Sequence, residues 1–96
     1  AWVHHEPVAA EVVDQDGAPV AVSGRQVLSA APARVSVDGG PWLDVLAWAG
    51  PWPLEERWWD AARARRRARL QLVTADGRAC LTVLERGQWQ VEATYD

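Results

Sequence analysis

Several common residue types are missing from this sequence of 96 residues. It has no methionine, no phenylalanine and no lysine, and its one cysteine is Cys80. Without lysine there can be no phosphate-binding loop that ends in Gly-Lys-Ser/Thr, and no Gly-x-Gly-x-x-Gly fingerprint occurs. A single cysteine cannot form an internal disulfide, which favours a reducing, cytoplasmic location.

Long apolar runs are missing as well. No stretch approaches the ~20 residues of a membrane span, so no membrane association is expected. A hydrophobic content of 49% with 24% charged residues is typical of a soluble globular domain. The lack of an initiator methionine suggests a piece of a longer polypeptide. We expect residues 8–96 to form a single domain, preceded at 1–7 by a tail or the end of a linker.

The formal charge of −3 is unevenly distributed. Residues 57–69 hold six arginines against one aspartate, whereas residues 1–48 carry a clear acidic excess. The basic stretch is the feature that a nucleic acid could use, because guanidinium groups attract phosphates. Its members are Arg57, Arg63, Arg65, Arg66, Arg67 and Arg69.

Short alternating apolar and polar runs, separated by turn signals, dominate the chain. Strands are predicted at 8–14, at 19–23 and at 34–37, with turns at 14–17 and 38–41. Residues 42–49 are apolar on both sides and predict a strand that is buried on both faces.

The last third of the chain predicts a three-stranded antiparallel meander. Alternating runs at 68–72, 79–84 and 89–95 are joined by Asp-Gly and Arg-Gly turns. Together with the earlier strands, they predict an all-β fold, either a small antiparallel sandwich or a barrel. At most one short helix is expected, near residues 54–65.

Residues 48–60 hold four of the seven tryptophans. Pro51 and Pro53 predict an extended or turning path up to residue 53. Tryptophans this dense either close the core or anchor another molecule. We expect Trp48, Trp52 and at least one of the pair Trp58 and Trp59 to be core. One of that pair, or Trp42, is the alternative candidate for presentation to a partner.

A search for reactive groups finds little. His4 and Glu6 would fall on one side of an extended segment, but two donors leave a metal coordination sphere half empty. Cys80 has no histidine nearby in sequence and is better explained as a small buried hydrophobic residue. We therefore predict no catalytic residues, no metal, no cofactor and no small-molecule substrate.

Two binding functions remain open. The arginines at 63–69 with Trp58 and Trp59 could contact single-stranded DNA, since bases stack on indole rings. Tryptophan and arginine are equally the residues that protein interfaces favour. The candidate partner-binding residues are Arg57, Trp58, Trp59, Trp52 and Trp42, and the candidate nucleic-acid contacts are Arg63, Arg65, Arg66, Arg67 and Arg69.

Several motifs resemble the extreme C-terminal domain of actinobacterial ImuB proteins. They are Trp-Ala-Gly-Pro-Trp-Pro-Leu-Glu-Glu-Arg-Trp-Trp-Asp at 48–60, the run at 66–78, the close at 87–96, and the segments at 11–17 and 22–25. The similarity spans nearly the whole chain. The tryptophan string is its specific part, and the Asp-Gly and Gly-x-Trp turns are generic.

The resemblance implies a parent protein that is a catalytically inactive homologue of the Y-family DNA polymerases. Such a parent serves as an adaptor in the translesion synthesis of SOS mutagenesis. The C-terminal region of that family contacts a RecA-like accessory protein of the ImuA type and an error-prone DnaE-type polymerase. No clamp-binding peptide appears here, since the nearest candidate, at 71–73, lies within a predicted strand. The resemblance assigns no contact residues.

Overall fold

The computed structural model describes residues 2–23, 25, 27–53 and 68–95, which form six β-strands. Each strand pairs antiparallel with the next, and the last pairs with the first, so the sheet closes into a barrel. The strands are β1 (Trp2–Val13), β2 (Arg34–Val37), β3 (Leu43–Pro53), β4 (Ala68–Thr74), β5 (Ala79–Glu85) and β6 (Gln88–Tyr95).

The all-β prediction is confirmed, and of its two alternatives the structure is the barrel. The predicted helix near 54–65 lies outside the described residues. No helix that is long and apolar enough to cross a membrane occurs in the described ranges.

The predicted meander is confirmed as β4, β5 and β6. Along β4, buried and half-buried residues alternate strictly, and Leu70 and Leu72 are fully buried. Trp89, Val91 and Ala93 of β6 face the same interior. This period of two is what a sheet with one face on the core requires.

The turn predictions are also confirmed. Gly17 has a φ of +85°, which is unfavourable for residues with a Cβ atom. The carboxylate of Asp14 accepts hydrogen bonds from the amides of Asp16 and Ala18, both at 2.9 Å. This local bonding fixes where β1 ends.

The expectation of a tail at 1–7 is wrong for the residues that the structure describes. Residues 2–7 belong to β1, and Trp2 and Val3 pair with Tyr95 and Thr94 of β6. The rings of Trp2 and Tyr95 meet edge to face, with centroids 5.4 Å apart. Because the side chains at 3–7 are exposed, this part of β1 carries no core pattern from which it could be predicted.

The strand predicted at 19–23 is replaced by isolated bridges, Val13 to Pro19 and Val22 to Leu28. Pro19, Val22 and Leu28 belong to the long connection from β1 to β2. Val20 is nonetheless buried, and its carbonyl oxygen accepts a 2.9 Å hydrogen bond from the indole Nε1 of Trp89. The buried Val20, with the partly buried Val22 and Leu28, thus packs the connection against the barrel core.

The prediction of a strand at 42–49 with two buried faces is also wrong. β3 pairs with β4 from Val45 to Pro53, but with β2 only at Leu43 and Asp44. Since β2 has only four residues, it cannot cover the rest of β3. Leu46 is 66% exposed as a result.

Candidate functional site

Three of the exposed large apolar side chains lie on β3 and on the connection that borders it. Leu46 and Trp48 are 66% and 43% exposed, and Val27 of the β1–β2 connection is 59% exposed. Between the connection and β3 runs a groove of about 350 Å³, lined by Val27, Leu28, Ala30, Ala31, Trp48, Gly50 and Pro51. We call this groove, together with Leu46, the β3 surface.

The β3 surface exists because β3, with 11 residues, is much longer than β2, with four. Trp48 pairs with the fully buried Leu72, so both side chains start on the inner face of the sheet. On the side of β3 that faces β2, hydrogen bonding within the described residues ends at the amide of Val45, which donates to Ala33. Beyond that point no described strand covers Trp48. The expectation that Trp48 is core is therefore wrong.

The β3 surface is uncharged. Residues 45–53 and 27–33 contain no Asp, Glu, Arg or His. An exposed, uncharged apolar groove of this kind is characteristic of a protein-interaction site.

Trp42, which was predicted as a residue presented to a partner, is 48% exposed. It lines a second cavity of about 310 Å³, which we call the Trp42 pocket. The other lining residues come from β1, β2, the β2–β3 turn and the start of β6. They are Ala9, Ala10, Glu11, Ser36, Gly39, Gly40 and Gln88.

Arg69, a predicted nucleic-acid contact, already pairs with a carboxylate of the barrel wall. Its Nη2 lies 2.9 Å from Oε1 of Glu92, with the two side chains 37% and 19% exposed. The angles are not those of a hydrogen bond, so the contact is a close ion pair. A phosphate would have to compete with this carboxylate for Arg69.

Most other predicted site residues lie outside the described residues. Trp52 is described only as a backbone position in β3, opposite Arg69. The structure therefore leaves the predicted Trp-Arg cluster untested. The residues outside are Arg57, Trp58, Trp59, Arg63, Arg65, Arg66 and Arg67.

Sequence reasoning missed Leu46, Val27, Glu11 and Gln88. Leu46 and Val27 lie in the uncharged stretches 45–53 and 27–33, but lack of charge alone does not distinguish an exposed segment from a buried one. Glu11 and Gln88 meet only through the pairing of β1 with β6, which a local pattern does not reveal.

Cys80 is buried, as predicted. Burial, followed by the negative charge of Asp76, raises its pKa to about 11. The thiol is therefore protonated at neutral pH, whereas a nucleophile or a metal ligand must be a thiolate. Within the described ranges, no group of three or more His, Cys, Asp or Glu side chains could hold a metal ion.

The carboxyl group of Asp76 has a pKa below its ordinary value. The main cause is the hydroxyl of Thr74, which donates a 2.5 Å hydrogen bond to Oδ1, and the amide of Arg78 adds to it. These bonds order the β4–β5 turn.

Comparison of the chain with protein-family models, with curated proteins and with solved structures finds no match.

Proposed function

We propose that this chain is a non-catalytic protein-interaction domain that uses the β3 surface. The observation that carries the proposal is the exposure of Trp48 and Val27, which line one groove, and of Leu46 on the same strand as Trp48, where β2 leaves β3 unpaired. Exposed Trp48 has the size and shape of an interface anchor. The neighbouring groove adds an apolar cleft in which a partner side chain can be buried.

The partner that we propose follows from the resemblance to the C-terminal domain of ImuB. In this reading, the domain recruits a RecA-like accessory protein of the ImuA type, an error-prone DnaE-type polymerase, or both, to a translesion-synthesis adaptor. The β3 surface supports a protein partner over a nucleic acid, because an uncharged apolar surface has no group that would attract a phosphate backbone.

Single-stranded DNA binding is the alternative function. It depends on Arg63, Arg65, Arg66, Arg67 and Arg69. Of these, Arg69 is held by Glu92 at the ion-pair distance described above. No observation on the described residues favours this function, so it stands on the sequence alone.

The test is a binding titration of the 96-residue chain with the purified accessory protein and, separately, with the purified DnaE-type polymerase. We expect wild-type chain to bind at least one of them, and Leu46→Asp with Trp48→Ser to weaken that binding by more than tenfold. Interface anchors of this type cost 2 kcal/mol or more on truncation, which is about thirtyfold in affinity.

Val3→Asp is the matched control, because Val3 is also an exposed apolar strand residue, on β1. It should bind as wild type does. Binding that survives the double substitution would remove the β3 surface from the proposal, and absence of binding to both partners would remove the adaptor role. Thermal unfolding of each variant shows whether the barrel is intact.

A further inference from the structure

The Trp42 pocket combines an exposed indole ring with a carboxylate. Glu11 projects from β1 between the buried Ala10 and Val12, so its side chain is on the outer face of the barrel. Trp42 follows the β2–β3 turn, and both residues line the same cavity. An aromatic ring beside a carboxylate is the arrangement that recognises organic cations.

The hydrogen-bonding groups of the Trp42 pocket point to the same ligand chemistry. Three of its donors are already used inside the protein. The hydroxyl of Ser36 donates to the carbonyl of Gly40 at 2.7 Å, and the amide of Gly40 donates to Val37 at 2.9 Å. The side-chain nitrogen of Gln88 donates to the carbonyls of Ala10 and Trp89.

Apart from the indole N–H of Trp42, what these side chains retain for a ligand is therefore acceptor capacity. Glu11 offers its carboxylate, Gln88 offers Oε1, and Trp42 offers its π face. No arginine lines the cavity, and Asp38 adds another negative charge in the adjoining turn. The lining therefore favours a ligand that is cationic and rich in donors.

We infer that the Trp42 pocket binds an arginine side chain presented by a partner polypeptide. Guanidinium suits the site better than ammonium, because its planar group stacks on an indole ring and donates to a carboxylate at the same time. The cavity of about 310 Å³ has room for one such side chain. The inference does not depend on the β3 surface, since the cavity and the β3 groove share no lining residue.

The experiment uses the 96-residue chain and two probes, acetyl-Gly-Arg-Gly-amide and the same peptide with citrulline, which keeps the shape of arginine and removes its charge. Heteronuclear NMR follows the indole signal of Trp42 and the side-chain amide signal of Gln88. We expect the arginine peptide to shift both signals saturably, and the citrulline peptide to shift neither.

Two variants locate the binding. Glu11→Gln should weaken it about two- to fivefold, the range for an exposed ion pair. Trp42→Leu, followed through Gln88, should weaken it by a similar factor because the cation–π contact is lost. Asp16→Asn and Trp48→Leu are the matched controls, since they make the same chemical changes at exposed positions outside the cavity.

The inference is overturned if the arginine peptide causes no saturable shift. It is equally overturned if citrulline binds as well as arginine, or if Glu11→Gln and Trp42→Leu bind as their controls do. Near-ultraviolet circular dichroism confirms that each variant retains the packed barrel.

Discussion

The indole nitrogen of Trp89 donates a 2.9 Å hydrogen bond to the carbonyl oxygen of Val20, and both residues are buried. This bond joins the strand that closes the barrel to the long connection between β1 and β2. The same connection carries Val27 and Leu28, which line the β3 groove. This core contact is therefore one of those that hold in place the connection beside the β3 groove.

Trp89→Phe is expected to destabilise the protein by about 2–3 kcal/mol. The change removes the indole N–H, so the buried carbonyl of Val20 loses this hydrogen bond. The smaller ring also reduces apolar packing in the core. Urea unfolding measures the loss, and hydrogen exchange should become faster at the amide of Val20, which donates to Val12. Trp42→Phe, at an exposed position, should change stability by no more than about 0.5 kcal/mol. Equal effects of the two substitutions would contradict the structural role of Trp89.

Thr82→Val is expected to cost about 1–2 kcal/mol, although the two side chains have nearly the same shape. Thr82 is fully buried, and its hydroxyl donates to the carbonyl of Leu70 at 2.6 Å. The free energy lost with the buried hydrogen bond exceeds the small gain from replacing the hydroxyl by a methyl group. Chemical denaturation compares it with Thr94→Val, at a half-buried position on β6, which should be nearly neutral. A neutral result at Thr82 would show that this bond does not stabilise the barrel.

Ionisation of the Cys80 thiol should destabilise the folded protein in alkali. Its pKa is raised from 9.0 to about 11 in the folded state, so folding favours the protonated thiol. The resulting stability is complete below pH 9 and is lost as the pH rises through 11, on the order of 2 kcal/mol in total.

Denaturant unfolding between pH 8 and 11, for wild type and Cys80→Ala, measures this effect. Both proteins contain Tyr95, so the difference between the two curves reports the effect of the Cys80 thiol alone. Parallel curves would contradict the predicted effect. Alkylation of Cys80 near neutral pH should also be slow in the native protein and fast after unfolding.

Protonation of the Asp76 carboxylate should destabilise the folded protein in acid. Its pKa is lowered in the folded state, chiefly by the Thr74 hydroxyl, so folding favours the carboxylate. That contribution is present above the ordinary pKa of 3.8 and is lost as the pH falls through the lower folded value. Asp76→Asn should show a flatter decline of stability in this acid range than wild type does. Asp16→Asn, at another exposed turn, is the control and should retain the wild-type slope.

The meander could be predicted from sequence because its information is local. The strands β4, β5 and β6 are joined by tight turns, and Leu70, Leu72, Trp89 and Val91 all lie where strict alternation places them. A strand that pairs with its sequence neighbour needs only a turn signal and a period of two.

The elements that were not predicted depend on distant partners. Trp2 becomes part of a strand only because β6 returns to pair with it at Tyr95. Trp48 is exposed because β2 has only four residues, and nothing in the sequence around Trp48 encodes the length of β2. The Trp42 pocket likewise depends on Gln88, which reaches Glu11 only when the sheet closes.

The pairing of Pro53 with Ala68 fixes both ends of residues 54–67 on adjacent strands. A change in the number of residues between these two positions should therefore cost the barrel little, because the entropy of closing a flexible loop depends only weakly on its length. Residues 54–67 can therefore change during evolution independently of the six strands of the barrel. New binding specificities could arise between residues 53 and 68 without any change in how the six strands pair.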